Sequence, residues 1–419
     1  MAELRYLDLF AGAGGLSEGF TRAGFIPVSH VEMDASACYT LKTRLAYKWL
    51  LNERKSDIYD AYLHGEITRE AFYAEVPGPL LSTVLNYEIS WDNLEEVFER
   101  IDDNLQGEKI DLIVGGPPCQ AYSLIGRARD ENGMLGDKRN YLYKLYGEFL
   151  KRYKPEYFVF ENVTGLLSAK DTDGELHFDK MRFLFRQCGY RTEYRILNTA
   201  DYGVLQNRKR VILIGKYGND ENFYPEIPKV KRKYLVGEIF KDLPFLKAGD
   251  GSARPVETKS YQGHYLYESG IKQMEHQMVT FHYARPNTEQ DKEIYRIAVN
   301  LWNDRHKRLS YTDLPPHLQS QNNKESFLDR FKVVAGDIDC SQTVVAHIAK
   351  DGHYFIHPDI LQNRSLTPRE AARLQTFPDD YYFESISGKP SRTTAYKQIG
   401  NAVPVCMAER VARALKECW

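Results

Sequence analysis

Four short apolar runs in this sequence each end near a residue suited to chemistry, and each is followed by a helical pattern. They are Leu4–Phe10 before Gly12, Ile26–Val31 before Glu32, Ile110–Val114 before Cys119, and Glu156–Phe160 before Glu161. The carboxyl ends of parallel strands in an α/β sheet share one edge, where ligands and catalytic groups gather. The pattern therefore predicts an α/β fold whose functional residues converge on one cleft.

The third of these runs leads into the stretch GGPPCQAYS, residues 115–123. Its two prolines cannot extend a helix or feed a central sheet ladder, so the backbone must turn sharply here. Cys119 follows at once, on a loop beyond a strand end, where a thiol is placed like a nucleophile. A structural cysteine more often lies inside an element, packed as a small hydrophobe. The loop alone leaves both interpretations open, and the other three strand ends favour catalysis.

A glycine-rich turn follows the first strand, with Gly12, Gly14 and Gly15 before a helical pattern. Small residues at such a turn let a ligand approach the backbone and the amino terminus of the helix. Glu32 comes about 20 residues past the glycines, where an acidic side chain can bind ribose hydroxyls. Taken alone, this arrangement suits dinucleotide enzymes, other nucleoside cofactors, or a purely structural strand-to-helix turn.

Composition limits the class of protein. The 419 residues are 42% hydrophobic, which is enough for one large domain or two ordinary ones. A net charge of −2 gives no global basic field, although a locally basic cleft would suffice to contact phosphates. There is no apolar stretch of about 18 residues, no signal-peptide pattern, and no CxxC pair or disulfide rhythm among the cysteines. We expect a soluble, reduced, cytoplasmic protein without a membrane span.

The strand–helix alternation is interrupted twice. Residues 39–90 are charged and mostly helical in pattern, which predicts an insertion. Residues 219–340 are rich in Pro, Lys, Tyr and polar residues and show no clean strand–helix alternation. Beyond them, Thr367–Thr376 has the signals of a capped helix, and Val405–Lys416 is amphipathic. Before the second interruption, Gln206, Arg208 and Arg210 alternate, which places them on one face of an extended segment.

Three histidines in Thr343–His357 raise the question of a metal site. The Asp351-Gly352 pair predicts a hairpin turn, which would separate His353 and His357 by roughly 13 Å and turn His347 to the opposite face. Side chains so far apart cannot share an ion, so no metal is expected.

Taken together and in this order, the motifs closely resemble those of the DNA (cytosine-5) methyltransferases, including the bacterial restriction–modification type. The matching stretches are DLFAGAGG (8–15), Glu32, GGPPCQ (115–120), ENV (161–163), QNRKR (206–210), RSLTPREAARLQTFP (364–378) and QIGNAVP (398–404). The resemblance implies a Rossmann-like, S-adenosylmethionine-dependent catalytic domain. It also implies that residues 219–340 are a variable target-recognition region, a second, smaller and irregular domain. This region would lie between the first part of the catalytic domain, 1–218, and its return, 341–419.

The resemblance implies a mechanism as well. Cys119 would attack carbon 6 of a cytosine, so that carbon 5 can take the methyl group from S-adenosylmethionine. Glu161 would meet ring nitrogen 3 and neutralise the charge that develops there. Arg208 and Arg210 would orient Glu161 and contact the base and a phosphate. Because a base in duplex DNA is inaccessible to such a cleft, it must be flipped out of the stack.

Nine residues are implied to bind the cofactor. Phe10 would face the adenine, Glu32 the ribose, and the glycine turn the methionine end. Asn401 and Val403 would close the pocket from the far end of the chain, which makes the catalytic domain discontinuous. The full set is Phe10, Gly12, Gly14, Gly15, Leu16, Glu32, Met33, Asn401 and Val403. The family's adenine-contacting Asp near the third strand has no clear counterpart in YEISWDNLEE, so Asp92 is left unassigned.

The expected partner is double-stranded DNA, bound by a monomer, and a cognate restriction endonuclease acting separately is left open. The tRNA-modifying branch shares these motifs, but the long middle region favours DNA, because reading a duplex needs a groove-contacting module. A catalytically silent DNA-binding regulator is disfavoured by the presence of Cys119, Glu161 and both arginines. A nicotinamide oxidoreductase would account for the glycine turn alone. The target sequence cannot be read from the chain.

Overall fold

A computed structural model of the chain describes residues 3–118, 141–231, 233–273 and 277–419. Within these residues a seven-stranded sheet forms the centre of the fold, in the order β3-β2-β1-β4-β5-β7-β6. Its strands are β1 (Arg5–Leu9), β2 (Ile26–Glu32), β3 (Val84–Asn86), β4 (Leu112–Gly115), β5 (Tyr157–Val163), β6 (Tyr190–Asn198) and β7 (Lys209–Tyr217). Strands β1 to β5 run parallel, and β7 lies antiparallel between β5 and β6. The predicted α/β class is confirmed.

Thirteen α-helices surround and extend this sheet in the described ranges. They are α1 (Gly15–Arg22), α2 (Ala35–Asn52), α3 (Ser56–His64), α4 (Arg69–Ala74), α5 (Gly78–Ser82), α6 (Leu94–Leu105), α7 (Leu142–Tyr153), α8 (His177–Gln187), α9 (Tyr265–Glu268), α10 (Glu289–Arg305), α11 (Pro368–Leu374), α12 (Arg392–Asn401) and α13 (Val405–Lys416). In the part of the chain that the structure describes, no helix is both long enough and apolar enough to cross a membrane.

Helices cover both faces of the sheet, as a parallel sheet of apolar strands requires. On one face, α6, α7 and α8 bury their apolar stripes against the strands, with Phe98, Phe149 and Phe185 in the same core. On the other face lie α1 and α13, represented by Phe20 and Met407. The pairing of α1 with α13 brings the carboxyl-terminal segment back to the first strand, as predicted.

Residues 39–90 hold helices α2 to α5, as their pattern predicts, but they also contain β3. This strand pairs with β2, His30 opposite Val84, and forms the edge of the central sheet. The helices pack elsewhere, against the segment after α11, and the Tyr59 hydroxyl donates to the Asp380 carbonyl at 2.8 Å. The predicted insertion therefore adds a strand to the central sheet and packs its helices against the segment after α11.

Residues 219–340 contain little regular structure. The 17-residue helix α10 is the long element here. The others include the four-residue helix α9 and the two-residue strands β8 (Gly251–Ser252), β9 (Val256–Glu257), β10 (Met278–Val279) and β11 (His282–Tyr283). A separate small core forms around α10, with Tyr295, Tyr311 and Phe331, and Ile356 from the returning chain joins it. The middle region and the returning segment thus share a core, while the exact domain boundaries stay predictions.

Helix α11 joins the middle region to the catalytic domain. Thr367 caps it and forms the predicted capping box with Glu370. On this helix Arg373 is fully buried and binds Asp242 of the middle region at 2.6 Å and Asp379 at 2.7 Å. Burial alone would raise the pKa of the Asp242 carboxyl, but Arg373 and Lys272 lower it. The two regions are therefore held together by a buried network of charges.

The hairpin predicted at Asp351-Gly352 is wrong. Residues Ala346–Ala349 form a 3-10 turn that packs on α12, and Ile356 pairs instead with Val333 and Ser365. The Asp351 carboxylate binds Arg330 and accepts from the His353 backbone amide. Tertiary pairing of Ile356 has overridden the local turn signal. The three histidines are therefore not separated across a hairpin as predicted. Among the described residues, no three His, Cys, Asp or Glu side chains form a group that could hold a metal ion.

Candidate active site

The turn after β1 is shaped to bring backbone close to a ligand. Phe10 has a φ of 58°, Gly12 of 55° and Gly14 of 80°, so the chain reverses within a few residues before α1 begins. A positive φ strains the backbone of a non-glycine residue such as Phe10. Residues with strained backbones of this kind cluster at functional sites. A Cβ added to Gly12 would meet no atom within 4 Å, so open space adjoins this part of the turn.

Glu32, at the end of β2, faces this turn. Its Oε2 accepts from the Gly12 amide at 2.7 Å, and its Oε1 accepts from the Asp34 amide at 2.8 Å. Burial raises the pKa of the Glu32 carboxyl. Met33 follows with 54% of its surface exposed, and Asn86 of β3 donates to the carbonyls of both residues. The acidic side chain is thus fixed beside the glycine turn, with an exposed thioether next to it.

The returning segment closes against the same turn. A Cβ added to Gly15 would lie 2.3 Å from the Val403 carbonyl oxygen, so only glycine allows the two backbones to approach. Asn401 is the exposed last residue of α12, two positions before Val403. The Leu16 side chain is buried in the core beneath α1, so a ligand could reach Leu16 only through its backbone amide in the first helical turn.

Asp8, which the sequence reasoning did not single out, lies beneath this turn. It is fully buried in β1, and neither carboxylate oxygen has a hydrogen-bond partner of normal geometry. Burial and the nearby Glu32 charge raise the pKa of Asp8 well above 3.8. Its position as the first letter of DLFAGAGG was the available signal, and only the structure shows how unusual its surroundings are. Asp92, which was left unassigned as the adenine-contacting acid, lies in the loop after β3. Glu88 lies closer in the sequence to the end of that strand than Asp92 does.

Glu161, two residues before the end of β5, forms the second part of the site. Its Oε1 lies 2.8 Å from Arg210 Nε, and both side chains are mostly buried. A Cβ added to Gly116 would lie 2.7 Å from Glu161 Oε2, and Asn162 Nδ2 donates to the Pro117 carbonyl at 3.1 Å. The start of the GGPPCQ loop therefore packs against Glu161 and is hydrogen-bonded to Asn162. Cys119 itself lies outside the described residues, and its role stays a prediction.

Arg208 and Gln206 are buried against the returning segment. Arg208 Nη1 donates to the Val344 carbonyl at 2.6 Å and Nη2 to the Gly400 carbonyl at 3.3 Å. Gln206 Nε2 donates to the Leu374 carbonyl at 2.9 Å. The predicted alternation placed these side chains with Arg210, whereas Gln206 and Arg208 bind backbone at Val344, Leu374 and Gly400. The proposed contact of Arg208 with the base stays untested.

The strand register places the two parts of the site side by side. Leu9 of β1 pairs with Gly115 of β4, which pairs with Phe160 of β5. The glycine turn and Glu161 follow directly, so they leave the same sheet edge two strands apart, or roughly 10 Å. A nucleoside held at the glycine turn and a substrate ring held at Glu161 could meet in this gap. The arrangement suits group transfer between two bound molecules.

Comparisons with known proteins agree with this geometry. The family model described as C-5 cytosine-specific DNA methylase matches residues 4–67 and 85–417. The type II methyltransferase M.Bpa9945I of Bacillus paralicheniformis is 40% identical, with 98% of each chain covered. The type II methyltransferase M1.HphI of Haemophilus parahaemolyticus is 28% identical, over 98% of this chain and 86% of that protein.

A solved structure supports the fold. A prophage-encoded protein of E. coli, assigned as a DNA modification methyltransferase, superposes with a TM-score of 0.64 at 22% identity, covering 99% of each chain. Residues 68–84, which the family model leaves unmatched, lie within the predicted insertion. The match over almost the whole chain shows that this protein belongs to the C-5 cytosine-specific DNA methylase family and is a DNA cytosine-5 methyltransferase.

Proposed function

We propose that the protein transfers a methyl group from S-adenosylmethionine to carbon 5 of cytosine within a specific double-stranded DNA sequence. The observation that carries the proposal is the Glu161–Arg210 pair, located on the same sheet edge as the glycine turn. A carboxyl held in place by an arginine is suited to bind and activate a cytosine ring, and the match to a family described as cytosine-specific supports this assignment.

The cofactor side fits S-adenosylmethionine. The open space beside Gly12, the Glu32 carboxyl fixed next to it and the buried Asp8 carboxyl below provide a backbone cradle and two acids for a ligand with a ribose and an ammonium group. When bound, the cofactor supplies an electrophilic methyl group. Phe10 and the exposed Met33 provide apolar surface for an adenine ring, and Asn401 and Val403 would complete the pocket.

The substrate side fits a flipped cytosine. Cys119, as the nucleophile, would form a bond from its sulfur to carbon 6, which transfers an electron pair toward carbon 5 and ring nitrogen 3. Glu161 would hold a proton at nitrogen 3 and so neutralise the developing charge. Arg210 keeps the Glu161 carboxyl in place through the 2.8 Å contact. After carbon 5 has taken the methyl group, its proton passes to a water molecule. The released electron pair re-forms the double bond between carbons 5 and 6 as the Cys119 thiolate leaves.

Nucleoside mass spectrometry tests this proposal. We expect 5-methylcytosine in plasmid DNA from cells that express the wild type, and none with Cys119→Ser. Glu161→Gln should lower kcat by about 10²–10⁴. Isothermal titration calorimetry should show that both variants still bind S-adenosylmethionine within twofold of the wild type. Unmodified DNA together with methylated tRNA would refute the choice of substrate, and an unimpaired Glu161→Gln variant would refute the role of this carboxyl.

The relatives named type II methyltransferases support a finer proposal, that this protein acts inside the cell as the modification partner of a separate restriction endonuclease. Sequencing that maps 5-methylcytosine should find one short motif fully modified. DNA carrying that motif should then resist an endonuclease encoded beside the methyltransferase gene. We also propose that the enzyme binds DNA as a monomer, which light scattering of the DNA complex would test.

A further inference from the structure

Buried amide side chains link the base side of the site to the segment that closes the cofactor side. Gln375, directly after α11, is fully buried, and its Nε2 donates to two carbonyls of the returning segment, Ile399 at 2.7 Å and Ala402 at 3.1 Å. Its Oε1 accepts from Gln206 Nε2 at 3.0 Å. The amide of Gln375 thus fixes the turn that leads from α12 to Val403.

The side-chain amide of Gln206 also has hydrogen-bond partners for its donors and its acceptor. Its second Nε2 hydrogen goes to the Leu374 carbonyl, and its Oε1 accepts from the Val344 amide at 2.8 Å. Arg208, two residues on, donates to the Gly400 carbonyl. Arg210, another two residues on, holds Glu161. One extended segment therefore contacts the turn behind the cofactor pocket at one end and the catalytic acid at the other.

The turn that Gln375 holds lies directly against the glycine turn. The Val403 carbonyl occupies the space that a side chain on Gly15 would need, so the position of Val403 sets how tightly the pocket closes. The Gln375 backbone carbonyl also accepts from the Val405 amide at 3.1 Å, at the start of α13. Gln375 thus binds the chain on both sides of Val403.

From these contacts we propose that Gln375 is a positioning residue, which sets the cofactor-closing turn at 399–403, and that Gln206 supports it from the base side. The inference rests on the proposed use of S-adenosylmethionine. Neither glutamine needs to touch the cofactor. Replacing Gln375 by Met removes its two donated hydrogen bonds and the acceptor for Gln206 Nε2, while keeping a side chain of similar length. Replacing it by Glu puts a carboxylate oxygen against a carbonyl.

Equilibrium binding of S-adenosylmethionine, measured by calorimetry, tests the proposal. Gln375→Met loses three buried side-chain hydrogen bonds, and the two to the Ile399 and Ala402 carbonyls hold the turn. Their loss predicts that Gln375→Met raises the Kd for S-adenosylmethionine about five- to thirtyfold. Gln375→Glu should raise it more, and Gln206→Met less. In steady-state assays Gln375→Met should raise KM for S-adenosylmethionine while kcat at saturation and KM for DNA stay within twofold. A role confined to folding would lower Tm without this separation.

Gln319→Met is the matched control, because Gln319 Nε2 also donates to two backbone carbonyls, of Thr312 and Leu314, but in the middle region. It should leave the Kd for S-adenosylmethionine unchanged. A Kd within twofold of the wild type for folded Gln375→Met and Gln206→Met would overturn the proposal. Should Gln375→Glu fail to fold, the Met variants decide the question. A wild type that does not bind S-adenosylmethionine would instead refute the proposed function, so the two failures are distinguishable.

Discussion

The buried charge network at Arg373 gives a stability prediction of definite size. Arg373 is inaccessible to solvent, and its guanidinium donates to both oxygens of Asp379, at 2.9 and 2.7 Å, and to both oxygens of Asp242, at 2.6 and 3.2 Å. Burial alone would lower the pKa of Arg373, but the two carboxylates raise it. Arg373→Met leaves Asp379 buried without this partner, whereas Asp242 keeps Lys272 at 2.8 Å.

Breaking a buried ion pair by removing one partner typically costs about 3–5 kcal/mol, because the remaining charge is uncompensated. We therefore expect Arg373→Met to lower the free energy of unfolding by about 3–5 kcal/mol. Adding Asp379→Asn should restore part of that loss, since it removes the stranded charge. Urea unfolding at pH 7, followed by circular dichroism, measures both variants.

Arg413→Met is the matched control. Arg413 also lies 2.7 Å from a carboxylate, that of Glu409, but its side chain is 60% exposed. Surface pairs of this kind contribute about 0–1 kcal/mol. If Arg373→Met destabilised the protein no more than Arg413→Met, or if the added Asp379→Asn made the loss larger, the argument from uncompensated buried charge would be refuted.

Three further outcomes are expected. Gly15→Ala should lower the free energy of unfolding by about 1–3 kcal/mol, because the added methyl group would meet the Val403 backbone. Gly12→Ala has open space for the methyl group but a positive φ, so it should lower the free energy of unfolding by only about 1–2 kcal/mol. Urea unfolding of both variants in parallel measures the difference. Asp8→Asn should gain stability relative to the wild type as the pH rises from 4 to 7. The folded Asp8 carboxyl keeps its proton above the pKa at which the unfolded one ionises, so the wild type loses stability over that range; a pH-independent difference between the two proteins would contradict this. Asn162→Ala removes the hydrogen bond to the Pro117 carbonyl and should lower kcat about tenfold while the Kd for S-adenosylmethionine is unchanged, and an unchanged kcat would count against anchoring of that loop.

Local signals predicted the parts of the fold that depend on neighbouring residues. The strand before Gly12 and the strand before Glu32 were found because apolar runs and glycine punctuation reflect backbone preferences within a few residues. The capped helix at Thr367 was found for the same reason. The convergence of Gly12, Glu32 and Glu161 on one edge followed from the handedness and direction of parallel strands.

The parts that were missed depend on contacts between distant residues. The predicted hairpin is wrong because Ile356 pairs with Val333 and Ser365. The turn signal at Asp351-Gly352 carries no information about either of these partners. The role of Gln375 is not predictable from the sequence, because nothing in RLQTFP shows that its amide will be fully buried between two other motifs. The surroundings of Asp8 were equally hidden, since burial of a strand carboxyl depends on what the helices above it cover.

The packing of α13 on α1 has a consequence for synthesis of the enzyme. The glycine turn emerges from the ribosome early, but the Val403 carbonyl that occupies the space beside Gly15 is translated long after it. A nascent chain can therefore form the first strands of the sheet without a closed cofactor pocket. Methylation of DNA should begin only after Val403 and α13 have been synthesised, and translation products truncated before Val403 should be unable to modify DNA.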